Sequence, residues 1–368
     1  MKLLTALFAL ACLAPGAEWK KHTVATGFPN QTAVAADVTG DGKPDIITND
    51  YKNTILFAAP QWSPVVLHTG LHLIHSAVMD VDGDGDMDFI GVSYNPATLF
   101  WLERPINPLA GNWPFHLIDS TATGGVNGVH GLYVHDMNGD GKPDLLATSG
   151  APAGPFANSV VWFERPANPK LPWIRHWAAR GDAPGLNHYV GAGDVDGDRR
   201  ADLATAGKDV PGGNWFAWWS QPAKDGPWKK TLLADNQLGA TNILIADLNG
   251  DRKPDFAASR GHGKGVLWFE APSWRLHEID AAIAGPHSLA AADIDLDGDI
   301  DLATCAKDSK EAVWYENNGK GRFTRNLIGS DQASYDIRLI DMDGDGDLDL
   351  VGCGEQSRNV VWYENPKR

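Results

Sequence analysis

A nine-residue aspartate motif recurs seven times along the chain and sharply limits the folds open to it. Its copies are Asp37–Asp45 (DVTGDGKPD), Asp80–Asp88 (DVDGDGDMD), Asp136–Asp144 (DMNGDGKPD), Asp194–Asp202 (DVDGDRRAD), Asp247–Asp255 (DLNGDRKPD), Asp293–Asp301 (DIDLDGDID) and Asp341–Asp349 (DMDGDGDLD). The first aspartates of successive copies lie 43 to 58 residues apart. A period of about 50 residues marks a repeat architecture, with one supersecondary unit per repeat.

Each motif follows a short apolar run, such as Ala33–Ala36 or Ile243–Ala246, and precedes another, such as Leu350–Gly352. Two such runs around a tight acidic turn read as a β-hairpin. A third segment then recurs as Phe100-Trp101-Leu102-Glu103, Val161-Trp162-Phe163-Glu164, Leu267-Trp268-Phe269-Glu270, Val313-Trp314-Tyr315-Glu316 and Val361-Trp362-Tyr363-Glu364. A fourth begins with an aromatic residue: Trp62, Trp113, Trp173, Trp228, Trp274 or Phe323. Four short strands per repeat, seven times over, predict an all-β, seven-bladed β-propeller spanning residues 18–368. Repeat seven stops after its third strand, and the orphan fourth strand lies at the start, Trp19 to Val24. Its pairing with Val361–Glu364 is expected to close the ring and remove the exposed sheet edges.

Residues 1–17 are set apart from the fold. Lys2, the apolar run Leu3–Ala14 and the small residues Gly16 and Ala17 read as a secretory signal peptide, too short to span a bilayer. The expected location is secreted or periplasmic, without lipid anchoring at Cys12 and without a membrane span. Cys305 and Cys353 occupy equivalent places in repeats six and seven and read as small buried thiols.

The formal charge of −16 excludes a nucleic-acid partner, which calls for a basic face. Of the 47 acidic residues, 28 lie within the seven motifs, so the excess reads as a set of cation sites. Hard cations such as Ca2+ take six to eight oxygens, and alternate carboxylates on a tight turn supply them. The expected calcium ligands are Asp37, Asp41 and Asp45; Asp80, Asp82, Asp84 and Asp88; and Asp136, Asn138, Asp140 and Asp144. The last two repeats add Asp293, Asp295, Asp297 and Asp301, then Asp341, Asp343, Asp345 and Asp349. Repeats four and five carry Arg199 and Arg252 where the others have glycine, so weak or absent metal is expected there. The role of these loops is structural. The pattern resembles the FG-GAP and VCBS repeat propellers, a likeness that implies the fold far better than the function.

The histidines divide by repeat position. His22, His68, His116, His176 and His277 lie in the outer strand and read as structural repeat consensus. His75 lies five residues before its motif, and His130, His188 and His287 lie six before theirs, at the opening of the innermost strand. Their convergence on the axis requires a bulge to absorb the one-residue difference. Three imidazoles with an open coordination position form a catalytic Zn2+ arrangement. Together with the Trp-Phe/Tyr-Glu third strand, these histidines resemble the propeller domain of aldos-2-ulose dehydratase/isomerase and related keto-sugar lyases. That resemblance implies a zinc ion at the bottom of a cleft, serving dehydration of a keto-sugar, with a separate oxidoreductase supplying the ketone.

The resulting expectation is zinc on His75, His130 and His188, with His287 or His262 as the catalytic base. Asn242 and Asp336 are expected to hold sugar hydroxyls, with Lys208, Arg260, Lys307 and Tyr94 shaping the rim. The competing expectation is a non-catalytic calcium-binding propeller for carbohydrate binding or adhesion. A glycosidase needs paired carboxylates, for which Asp336 and Glu355 are the candidates.

Overall fold

The computed structural model describes residues 18–209 and 212–366; the expected signal peptide lies outside the described residues. Seven four-stranded antiparallel sheets form the blades of a propeller. Blades one to six are consecutive meanders, and blade seven takes its outer strand from the chain start. Lys20–Thr26 pairs with Asn359–Glu364 in the register Lys20↔Glu364 to Thr26↔Asn359, closing the ring as the sequence predicts. Two single-turn 3-10 segments, Pro108–Ala110 and Thr121–Thr123, are the only helical elements among the described residues. No described helix is long and apolar enough to cross a membrane.

The hydrophobic core is distributed between blades. In each apolar cluster, residues of two neighbouring blades interdigitate, as Ile90 and Trp101 of blade two do with Val161 and Phe163 of blade three. Trp101, Trp219, Tyr315, Tyr363 and Phe163 are among the largest fully buried side chains. Each such aromatic ring removes roughly 150–250 Å2 from water, so these layers carry most of the apolar burial.

The outer-strand histidines serve this packing. His22, His116, His176 and His277 stack on Trp362, Trp101, Trp162 and Trp268 with ring centroids 3.9 to 4.6 Å apart. Each also meets the glutamate ending the third strand, at 2.7 or 2.8 Å. His68 does not share this position: it stacks on Phe115 at 4.9 Å.

The last aspartate of each motif has a second role that spacing alone conceals. Asp45, Asp88, Asp144, Asp202, Asp255, Asp301 and Asp349 are buried. One oxygen accepts the amide of the motif's second residue, and the other accepts the amide just beyond the third strand. In blade two these donors are Val81 at 2.9 Å and Arg104 at 2.7 Å. In blade seven they are Met342 at 2.8 Å and Asn365 at 2.7 Å. The carboxylate therefore clips the hairpin to the strand beside it.

Candidate metal centre in the axial funnel

The innermost strands carry the candidate site, and three of them are bulged. Register skips one residue between Leu73 and His75, between Asn187 and Val190, and between Pro286 and Ser288. Bulges re-aim side chains and free backbone groups, which must find other partners. Threonines on the second strands supply them: Thr205 Oγ donates to the Tyr189 carbonyl, and Thr304 Oγ to that of Ser288, both at 2.6 Å. In blade three, Thr148 Oγ accepts the His130 and Gly131 amides at 3.0 and 2.9 Å.

These bulges bring His188 and His287 to the axis, and His262 reaches it from the loop between the second and third strands of blade five. One ring nitrogen from each of the three lies within 4.8 Å of the other two. Ring centroids are 4.8 Å apart for His188 and His262, 5.0 Å for His262 and His287, and 5.7 Å for His188 and His287. His188 Nδ1 pairs with the Leu186 carbonyl at 3.1 Å, and His287 Nδ1 with the Tyr335 carbonyl at 2.9 Å. Donation from Nδ1 leaves Nε2 as the lone-pair nitrogen, the orientation that a hydrogen-bonded carbonyl imposes on metal-binding histidines. His262 Nε2 and His287 Nε2 are buried with no hydrogen-bond partner.

His130 stacks on His188 at 3.7 Å, and its Nε2 lies 3.2 Å from the Tyr335 hydroxyl. Burial, with the neighbouring histidines, holds His130, His188 and His287 well below the usual imidazole range. Burial, reinforced by Lys307 and Lys208, holds His262 down at about 3. The cluster is thus neutral at physiological pH, the form that binds a metal.

The convergent trio is therefore His188, His262 and His287, not His75, His130 and His188. His75 Nε2 faces Arg338 Nη2 at 3.2 Å, and Asp336 Oδ2 lies 4.0 Å away. Asp336 is fully buried and takes hydrogen bonds from Arg338, Ser288 and Thr32. Asn242 is buried with its Oδ1 unpartnered, beside the channel that runs from His75 toward the aspartate loops. Lys208 and Lys307 lie close enough to depress the histidines, whereas Arg260 is bound to Gln237 and Glu278. Tyr94 meets His130 edge-on at 6.2 Å. Tyr335, Tyr189 and Arg338 escape the sequence reading, although Tyr335 stands six residues before Asp341, in register with His130, His188 and His287.

On the opposite face, carboxylates converge in four motifs: Asp80, Asp82 and Asp88; Asp194, Asp196 and Asp202; Asp293, Asp295 and Asp297; and Asp341, Asp343 and Asp349. The second set belongs to repeat four, where Arg199 adopts φ 69° and the turn keeps its shape without glycine. Residues 80–147, 194–258 and 293–352 match the FG-GAP-like repeat family. The chain belongs to that family.

These FG-GAP-like repeats account for the acidic face and the blade pattern. No protein of curated function matches the sequence. Among solved structures, BBS1N in complex with ARL6DN is similar in fold, in crystals soaked with lead (TM-score 0.64, 11% identity) and with mercury (0.63, 12%). Both alignments cover 95% of this chain and 97% of the other. At that identity the likeness is one of fold alone.

Proposed function

We propose that this protein is an exported, metal-dependent carbohydrate lyase that performs β-elimination on a keto-sugar or 3-keto-glycoside in the axial funnel. The observation that carries this reading is the convergence of three imidazole nitrogens, two of them from rings whose buried Nε2 has no partner. A buried polar atom left unpaired costs roughly 1–3 kcal/mol, and a cation relieves that cost for several at once. Nitrogen donors select zinc and its neighbours over calcium or magnesium. Ligand nitrogens around zinc lie roughly 3.4 Å apart, so closure from the 4.8 Å spread needs side-chain shifts of about 1 Å.

His188, His262 and His287 would hold a zinc-class cation, which when bound would supply Lewis acidity to a carbonyl oxygen and so acidify the adjacent C–H. The chain's own groups do the rest. The Leu186 and Tyr335 carbonyls fix the orientation of His188 and His287. With His262 in the same trio, the base would be His130, which stands outside it and meets the Tyr335 hydroxyl. The substrate class is supported by the resemblance of the third-strand Trp-Phe/Tyr-Glu motifs and inner-strand histidines to keto-sugar lyase propellers. A separate oxidoreductase would supply the ketone, calcium would occupy the aspartate loops, and residues 1–17 support export.

The test is zinc content and turnover of a 3-keto-glucoside in three variants. His287→Ala is expected to lose bound zinc and at least about 100-fold in activity, and His75→Ala to keep its zinc. His130→Ala should retain zinc and lose turnover. Full zinc and full activity in His287→Ala would end this reading.

A further inference from the structure

The funnel rim over blades one, two and seven carries a polar constellation that the histidine trio does not use. Tyr51 lies against His72 with ring centroids 3.9 Å apart and the planes tilted by 34°. The Tyr51 hydroxyl donates to Glu355 Oε1 at 2.9 Å, and Gln31 Nε2 donates to the same oxygen at 2.8 Å. Gln31 Oε1 pairs with His72 Nε2 at 2.9 Å, closing a circuit of four side chains. Both bonds to the Glu355 carboxylate fall on Oε1, which orients Oε2 without engaging it.

The backbone under this circuit is strained. Tyr51 has φ 73°, a left-handed conformation that bulky residues rarely adopt. The Asn49 side-chain oxygen holds it there, accepting the Tyr51 amide at 2.9 Å and the Leu73 amide at 3.1 Å. Tyr51 and Glu355 are half-buried and His72 is exposed, so all three remain reachable. Tyr335 links them to the histidines: its ring lies 3.7 Å from His287, and burial, then Glu355 and Tyr51, push its phenol pKa upward.

An aromatic face beside an oriented carboxylate matches a pyranose, whose C–H face stacks while its hydroxyls donate. We infer that Tyr51, His72 and Glu355 form a saccharide subsite beside the histidine cluster, so that the substrate is a glycoside with a second sugar on this rim. The inference rests on the lyase reading for the identity of the reacting sugar.

The test measures binding of cellobiose, maltose, trehalose and methyl glucosides to the full chain by calorimetry and saturation-transfer NMR. It compares wild type with Glu355→Gln and with Tyr51→Gly, which suits the left-handed backbone, and records zinc content and thermal melting alongside. Wild type is expected to bind at least one disaccharide about tenfold more tightly than the methyl glucosides. Both variants should keep their zinc and fold and lose that preference. Equal affinity for all sugars, no binding of any, or a preference unchanged in both variants overturns the subsite. Absence of zinc with the preference intact would instead overturn the lyase reading and leave the subsite standing.

Discussion

His75 stands one residue out of step with the other inner-strand histidines, and its chemistry differs accordingly. Burial, opposed by Asp336 and reinforced by Arg338, holds its pKa down at about 4, against an ordinary 6.5. The folded state disfavours the proton, so the unfolded chain takes it up first as pH falls. The contribution to stability is complete above about pH 6.5 and is lost as pH drops toward 4. Melting of the metal-free protein should therefore fall across this interval, and by about 2–4 °C less in His75→Gln than in wild type. The same offset explains what the sequence conceals. Residues six before the first aspartate (His130, His188, His287, Tyr335) form the histidine layer, and residues five before it (Thr32, His75, Ser288, Asp336) form the Arg338 layer. Successive strand residues point to opposite faces, so pooling the two positions drew His75 into the metal set and left Tyr335 out. His262, expected as a base, joins His188 and His287 because its loop returns to the same face.

The aspartate hairpin is the element best read from sequence, although its last carboxylate also clips the backbone beside it. Asp88 accepts two backbone amides while buried, so Asp88→Asn leaves a donor opposed and should cost roughly 1–3 kcal/mol in chemical denaturation without metal. Asp84→Asn, on the exposed turn, should change metal-free stability by less than about 0.5 kcal/mol. Burial raises Asp88, Asp301 and Asp349 to about 7, opposed by their backbone amides. A raised folded pKa gives stability that is full below the ordinary carboxylate value and lost as pH climbs through about 7. A bound cation offsets that loss, so added calcium should raise the melting temperature more at about pH 8 than at about pH 5.5. The hairpin was legible because its hydrogen bonds are local and the motif repeats. The clip to the next strand was not, because its donor lies outside the motif.

At the scale of the whole ring, seven blades share their apolar layers with neighbours, and one pairing joins the two ends of the chain. Deleting residues 1–26 removes the outer strand of blade seven and bares Asn359–Glu364 as an unpaired edge. The shortened chain is expected to melt at least about 10 °C lower and to associate at micromolar concentration, by light scattering. Blade number and closure were legible from the period and from the orphan strand at the start. The funnel was harder, because seven blades each contribute one or two residues to it and no local pattern records which of them meet.

The ring-closing strand also fixes an order of events during synthesis. The Lys20 ammonium meets the Glu364 carboxylate at 2.9 Å across a sequence separation of 344. The strand Lys20–Thr26 thus remains without its partner until Asn359–Glu364 has been made. Closing so long a loop carries a large entropic cost, so this step comes late in folding. A chain interrupted near its end leaves two unmatched edges, each able to recruit the other from a neighbouring molecule.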